Sequence, residues 1–176
     1  MTIHVTISPK IARPVVQTIR FVKTDSSRII FDKTVVATFL TYRQSSLSRP
    51  EAGGLLLGRH LKDGSHIAVD HVSEPMLGDK QKRCSFFRGQ GHEQFAHKYW
   101  LASNGTCAYL GSWHTHPAQN PLPSKTDLHD WLNVLKNDVY EGNHLYFVIV
   151  GIKKIHCWEG NRHSRKFVKL ENYTGL

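Results

Sequence analysis

G-S-W-H-T-H-P-A-Q-N-P-L-P-S-K-T-D, running from Gly111 to Asp127, sets two histidines one residue apart ahead of a proline-rich loop. The preceding C-A-Y-L-G-S-W predicts a strand, on which residues i and i+2 share a face. His114 and His116 therefore aim at one point, with Trp113 and Thr115 on the other side. Pro117 has no N–H for the ladder and ends the strand. Ser124 has the character of a helix N-cap, and Asp127, three residues on, falls in the first turn. That turn returns a carboxylate towards the imidazoles. Two histidines and one carboxylate form a catalytic zinc set with the fourth position left to water. Magnesium and calcium prefer all-oxygen sites.

Such chemistry needs a base for the water proton and a donor for the developing oxyanion. Ser124 is the candidate donor. The candidate base is Glu51, in R-P-E-A-G-G-L-L-L-G, at the mouth of an apolar run that predicts a buried strand. Partial desolvation there raises a carboxyl pKa. Glu74 and Asp70 compete for the role, but neither opens such a run.

E-x-G-G followed by L-L-L-G, then H-T-H-P, seven residues and S-x-x-D, resembles the JAB/MPN metallopeptidase family with its JAMM signature. The resemblance implies that His114, His116 and Asp127 bind one catalytic Zn²⁺, that Glu51 acts as base and then acid, and that Ser124 polarises the scissile carbonyl. It also implies hydrolysis of peptide or isopeptide bonds. The longer phrase P-E-A-G-G-L-L-L-G-R…F-F-R…H…W…S-N-G-T…Y-L-G-S-W-H-T-H-P…P-S-K-T-D…W is most similar to the small bacterial JAB deconjugating peptidases of CBASS antiphage operons. Those remove proteins conjugated to the C-terminus of a cGAS-like nucleotidyltransferase, opposing an E1–E2-like partner. Ser112 stands where that group has an acidic residue, which bears on substrate preference. Another bacterial ubiquitin-like or carrier protein is an alternative substrate. A DNA-linked RadC-type JAB protein is a lower alternative, since that group reads H-N-H-P-S-G against H-T-H-P-A-Q here. The H-x-E and P-C-x-x-C of zinc deaminases are absent as sequence.

The implied fold class is α/β: a single JAB/MPN-like domain with a mixed central β-sheet flanked by helices, in a cytidine-deaminase-like layered architecture. We expect residues 1–27 to add N-terminal strands (Ile3–Ile7 and Gln17–Lys23), residues 28–170 to form the metallopeptidase domain, and 171–176 to be a frayed tail. Helices are expected from Asp32 to Gln44, Gly91 to Ser103 and Ser124 to Asn137. The last carries a buried stripe of Leu128, Trp131, Leu132 and Leu135. Strands are expected over Arg28–Phe31, His66–Ser73, Ser85–Arg88 and Leu145–Ile152. Asp63-Gly64 is a hairpin turn signal, Pro75–Lys82 an irregular basic loop, and Lys154–Glu159 with Ser164–Leu170 an edge pair joined by Gly160-Asn161. His92 and His97 read as surface or capping residues, and His129 faces away from Asp127.

A length of 176 residues with 40% hydrophobic and 21% charged residues suits one domain with a real core. Cys84, Cys107 and Cys157 are few, scattered and odd in number, which suits a reducing cytoplasm, with Cys107 and Cys157 as buried strand residues. The opening M-T-I-H-V-T-I lacks a signal-peptide profile, and no run nears the ~20 apolar residues of a membrane span. The net charge of +9 raises the question of nucleic acid. The basic residues are scattered and no binding motif accompanies them, so a solvated surface is the expected reading of the charge; the protein-conjugate partner is what the resemblance implies.

Overall fold

The computed structural model describes residues 16–62 and 65–174. The expected strand Ile3–Ile7 and the Asp63-Gly64 turn lie outside these residues. The described chain runs β1 (Ile19–Val22), β2 (Arg28–Phe31), α1 (Lys33–Tyr42), β3 (Gly53–His60), β4 (Ile67–Val72), β5 (Lys80–Lys82), β6 (Ser85–Phe87), α2 (Gly91–Ala102), β7 (Ala108–Thr115), α3 (Lys125–Asn137), β8 (His144–Val150), β9 (Ile155–Asn161), β10 (Phe167–Lys169) and β11 (Glu171–Asn172). Nine strands form one sheet in the order β10-β9-β8-β7-β3-β4-β2-β1-β11. The pairs β2–β4 and β7–β8 are parallel and the rest antiparallel, so the sheet is mixed as expected.

β8 shows why a continuous apolar run was needed. Tyr146, Val148 and Val150 pack into one core with Val35, Val36 and Phe39 of α1. Leu145, Phe147 and Ile149 pack into a second core with Trp131 and Leu135 of α3. Alternate side chains thus face two helical layers. Asp32 caps α1 by accepting from the Thr34 amide, as its position predicted.

β7 carries a bulge that sets the phase of the site. Leu56 pairs with Gly111 but Leu57 with Tyr109, leaving Leu110 as the extra residue. Leu110 and Trp113, three apart, consequently share the α1 core. Gly111 has φ +137°, and a Cβ there would stand 1.9 Å from the Tyr146 carbonyl oxygen. No other residue fits that position. Beyond the bulge, Ser112 and His114 face α3, and Trp113 and Thr115 face α1, the alternation expected from the sequence.

Several expectations are corrected. Lys80–Lys82 is a strand of a separate two-stranded sheet with β6, because its backbone pairs with Ser85–Phe87. Residues 171–172 are not frayed: Glu171 and Asn172 pair with Val22 and Phe21. Gly160 and Asn161 belong to β9, so residues 162–166 make the connection to β10. Leu128 is exposed at 36%, leaving Trp131 and Leu135 as the buried stripe of α3. Cys157 is buried, whereas Cys107 lies half-buried just ahead of β7. No helix among the described residues is long and apolar enough to cross a membrane.

Candidate metal centre and hydrolytic site

β7 brings His114 to its last turn of pleat and His116 just past its end, where the His116 amide still donates to the Val150 carbonyl (3.0 Å). The two imidazoles meet with Nε2 atoms 3.0 Å apart. From the opposite wall, α3 supplies Asp127. Its Oδ1 lies 3.2 Å from His114 Nε2 and its Oδ2 3.4 Å from His116 Nε2. The Ser124–Asp127 capping box fixes that carboxylate, since the Ser124 amide donates to Asp127 Oδ2 and Ser124 Oγ accepts from the Asp127 amide. The cap that starts α3 is therefore also the device that aims its acid.

The donor set fits a tetrahedral metal ion. Ligand atoms bound at ~2.0–2.1 Å in that geometry lie about 3.3 Å from one another. The separations of 3.0, 3.2 and 3.4 Å are of this size. Glu51 is the fourth member, its Oε1 3.9 Å from His114 Nε2. Glu51, His114 and His116 also form a group able to hold a metal. The two carboxylates are not equivalent: Asp127 approaches both imidazoles, and Glu51 stands further back.

The electrostatics follow. Burial pushes Glu51 up to about 7, with His116 opposing and the Asp127 charge reinforcing the rise. Burial would likewise raise Asp127, but its bonds with His114 and His116 outweigh that and hold it well below the usual carboxylate range. Burial lowers the His114 pKa despite Asp127. For His116, burial pulls down but the Asp127 bond and charge prevail, and the pKa rises.

All five sequence-nominated residues, Glu51, His114, His116, Ser124 and Asp127, line one groove between α3 and the Cys84–Glu93 segment. The competing carboxylates are elsewhere: Glu74 accepts from the Tyr42 hydroxyl and Asp70 pairs with Arg59. Trp131 is core, as expected, stacked on Phe147 with centroids 4.6 Å apart. His129 is exposed.

His92 is where sequence reasoning failed. It is 1% exposed, not a surface histidine. Ser73 Oγ lies 2.7 Å from its Nδ1, and Asp79 lies 3.0 Å from its Nε2. The Leu55 amide donates to Ser73 Oγ, and Asp79 also accepts from the Met76 and Gly89 amides. Only one direction satisfies every atom: Ser73 donates to Nδ1, and Nε2–H donates to Asp79. Ser73 is fully buried. The relay pins the loop carrying β5 and β6 against β3. Burial alone would raise the Asp79 pKa, but the Gly89 and Met76 amides and His92 hold it below its ordinary value. A group depressed in this way contributes stability that is complete above about pH 4 and lost as pH falls through the native value. Asp79→Asn is accordingly expected to lower the thermal midpoint near neutrality and to weaken its fall as the pH drops below about 4. Thermal scans of both proteins across that range check it.

Residues 34–166 match a family described as prokaryotic homologs of the JAB domain. A Vibrio cholerae serotype O1 protein named CD-NTase/cGAS isopeptidase is 37% identical over 142 residues, covering 78% of this chain and 86% of that one. An Escherichia coli protein of the same name is 32% identical over 152 residues, covering 86% and 92%. A third so named, from Pseudomonas aeruginosa, is 45% identical over 102 residues, covering 57% and 63%. The solution structure of a Desulfitobacterium hafniense protein shares the fold, with a TM-score of 0.52 at 24% identity over 79% of this chain and 87% of that one.

Proposed function

The chain belongs to the prokaryotic JAB-domain family, and from that premise we propose that it is a zinc-dependent isopeptidase that releases proteins conjugated to the C-terminus of a cGAS-like nucleotidyltransferase. In this reading it reverses the work of an E1–E2-like conjugating enzyme in cytoplasmic CBASS antiphage defence. The observation that carries the chemistry is the convergence of His114, His116 and Asp127 at 3.0–3.4 Å beside a buried carboxyl. The substrate class is supported by the name shared by relatives up to 45% identical.

His114, His116 and Asp127 are the proposed ligands, and the mixed nitrogen and oxygen set suits zinc. Zinc held by these residues would supply a water acidic enough to deprotonate near pH ~7 and a Lewis acid for the carbonyl. Glu51 takes the proton of the attacking water on its carboxylate and delivers it to the leaving amine. A carboxyl raised towards neutrality suits both halves of that cycle. Ser124 Oγ already accepts one bond, from the Asp127 amide, so its own hydrogen is left to donate to the scissile carbonyl oxygen as negative charge develops.

Intact-mass spectrometry tests the reading. The substrate is a nucleotidyltransferase joined through its C-terminal residue to a carrier protein. Wild-type enzyme is expected to return the two free proteins, cut after the C-terminal residue, and chelated enzyme to leave the conjugate whole. An uncut conjugate with zinc demonstrably bound would refute this substrate and redirect the search to other ubiquitin-like or carrier-protein conjugates.

A further inference from the structure

The proposed base and the proposed ligands sit on separate segments tied by the β3–β7 ladder, in which Gly53 pairs with His114, and by the Thr115 amide, which donates to the Ala52 carbonyl (2.8 Å); a buried side-chain pair adds to this backbone tie. Gln44, just beyond the C-terminal end of α1, is 2% exposed although it is a polar amide. Its Nε2 donates to the Arg49 carbonyl (3.2 Å) and to the Arg83 carbonyl (2.9 Å). Its Oε1 accepts from the Thr115 hydroxyl (3.1 Å). Thr115 Oγ1 in turn accepts from the Ala52 amide (3.0 Å). Both amide hydrogens, the amide oxygen and the hydroxyl are thus used, and the bonds run in one direction from Ala52 through Thr115 to Gln44, which strengthens each.

The placement of these contacts matters more than their number. Thr115 is the residue between His114 and His116, and Arg49 and Ala52 bracket Glu51. Arg83 lies at the turn between β5 and β6, whose Lys82 carbonyl accepts from the Glu51 amide (2.7 Å). We propose that the buried Gln44–Thr115 pair is a positioning device that sets the distance between the Glu51 carboxylate and the His114–His116 pair, with Gln44 also holding the groove wall through Arg83. The inference rests on the reading of Glu51 as the base. Neither residue touches the reacting atoms; both act through the backbone of those that do. A misplacement of about 1 Å at a reacting centre costs on the order of 100-fold in rate.

Thr115→Val, Thr115→Ser, Gln44→Ala and Glu51→Ala test this together. Thr115→Val keeps shape and removes the hydroxyl. Its kcat is expected to fall about 10- to 100-fold with KM and zinc content unchanged. Thr115→Ser restores the hydroxyl and is expected to recover kcat to within about threefold. Gln44→Ala is expected to lower kcat and also raise KM, because it releases the groove wall. Hydrogen exchange on the zinc-free proteins reads the link without catalysis: in Thr115→Val the Ala52 amide is expected to exchange faster while the β8 amides keep their protection. Full kcat in Thr115→Val, no rescue by Ser, or faster exchange throughout the sheet would each overturn the proposal. Full activity in Glu51→Ala would instead overturn the base assignment, so the two failures are distinguishable.

Discussion

Glu51→Ala is expected to lose hydrolysis by about 10³-fold or more while still binding one zinc per chain. General acid–base groups contribute roughly 10²–10⁴, and in the proposed mechanism one carboxyl serves both the attack and the departure. The zinc measurement is the sharper half of the prediction, because Glu51 also belongs to a possible ligand group with His114 and His116. The distances favour the proposed division of roles. Asp127 reaches both imidazoles at 3.2 and 3.4 Å, whereas Glu51 stands 3.9 Å from His114. Its carboxyl is buried and raised to about 7, a value suited to proton transfer. Steady-state rates and metal analysis on the same preparation check both parts. Loss of zinc from Glu51→Ala would make Glu51 a ligand and leave the base to be found elsewhere.

Asp127→Ala is expected to do the reverse, losing metal first and activity with it. Removing a ligand from a three-residue set lowers zinc affinity by more than about 100-fold, beyond what loss of a supporting hydrogen bond costs. The same change removes half of the Ser124–Asp127 capping box, at about 1 kcal/mol of helix stability. The metal-free variant should therefore melt only a few degrees below metal-free wild type. Competition with a chromogenic chelator, alongside thermal scans with and without zinc, separates the two effects. Unchanged zinc affinity would remove Asp127 from the ligand set.

The elements that position the site were legible because periodicity and caps are local. The two-residue spacing of His114 and His116 announced a shared face, Ser124 announced a helix start, and L-Y-F-V-I-V announced a strand covered on both sides. Buried polar groups were not legible. Gln44 was expected to be the last residue of the first helix, with nothing to mark it as buried, but α1 ends at Tyr42. His92 sits at the start of a helix with weak apolar patterning and reads as a cap. Both are buried because partners distant in sequence satisfy them: Arg83 and Thr115 for Gln44, Ser73 and Asp79 for His92. Local sequence carries no sign of such pairings. The β7 bulge was hidden for a related reason, since a glycine in a strand signals close approach without saying which partner requires it. Strands β5 and β11 are two or three residues long, too short for alternation to register.

The bulge at Leu110–Gly111 gives β7 the property of a parity switch. Residues before it count inside and outside from one origin, and residues after it from another. Because the side-chain period is two, any odd change in length between the bulge and Trp113 would exchange the contents of the two faces. Trp113 and Thr115 would enter the groove, and both imidazoles would be driven into the apolar layer beneath α1. Core and site are thus written in the same six residues and read in alternation, so neither can be edited in length without the other. Insertions and deletions that diversify substrate choice must fall outside this segment, in the walls of the groove, where the register of β7 is indifferent to them.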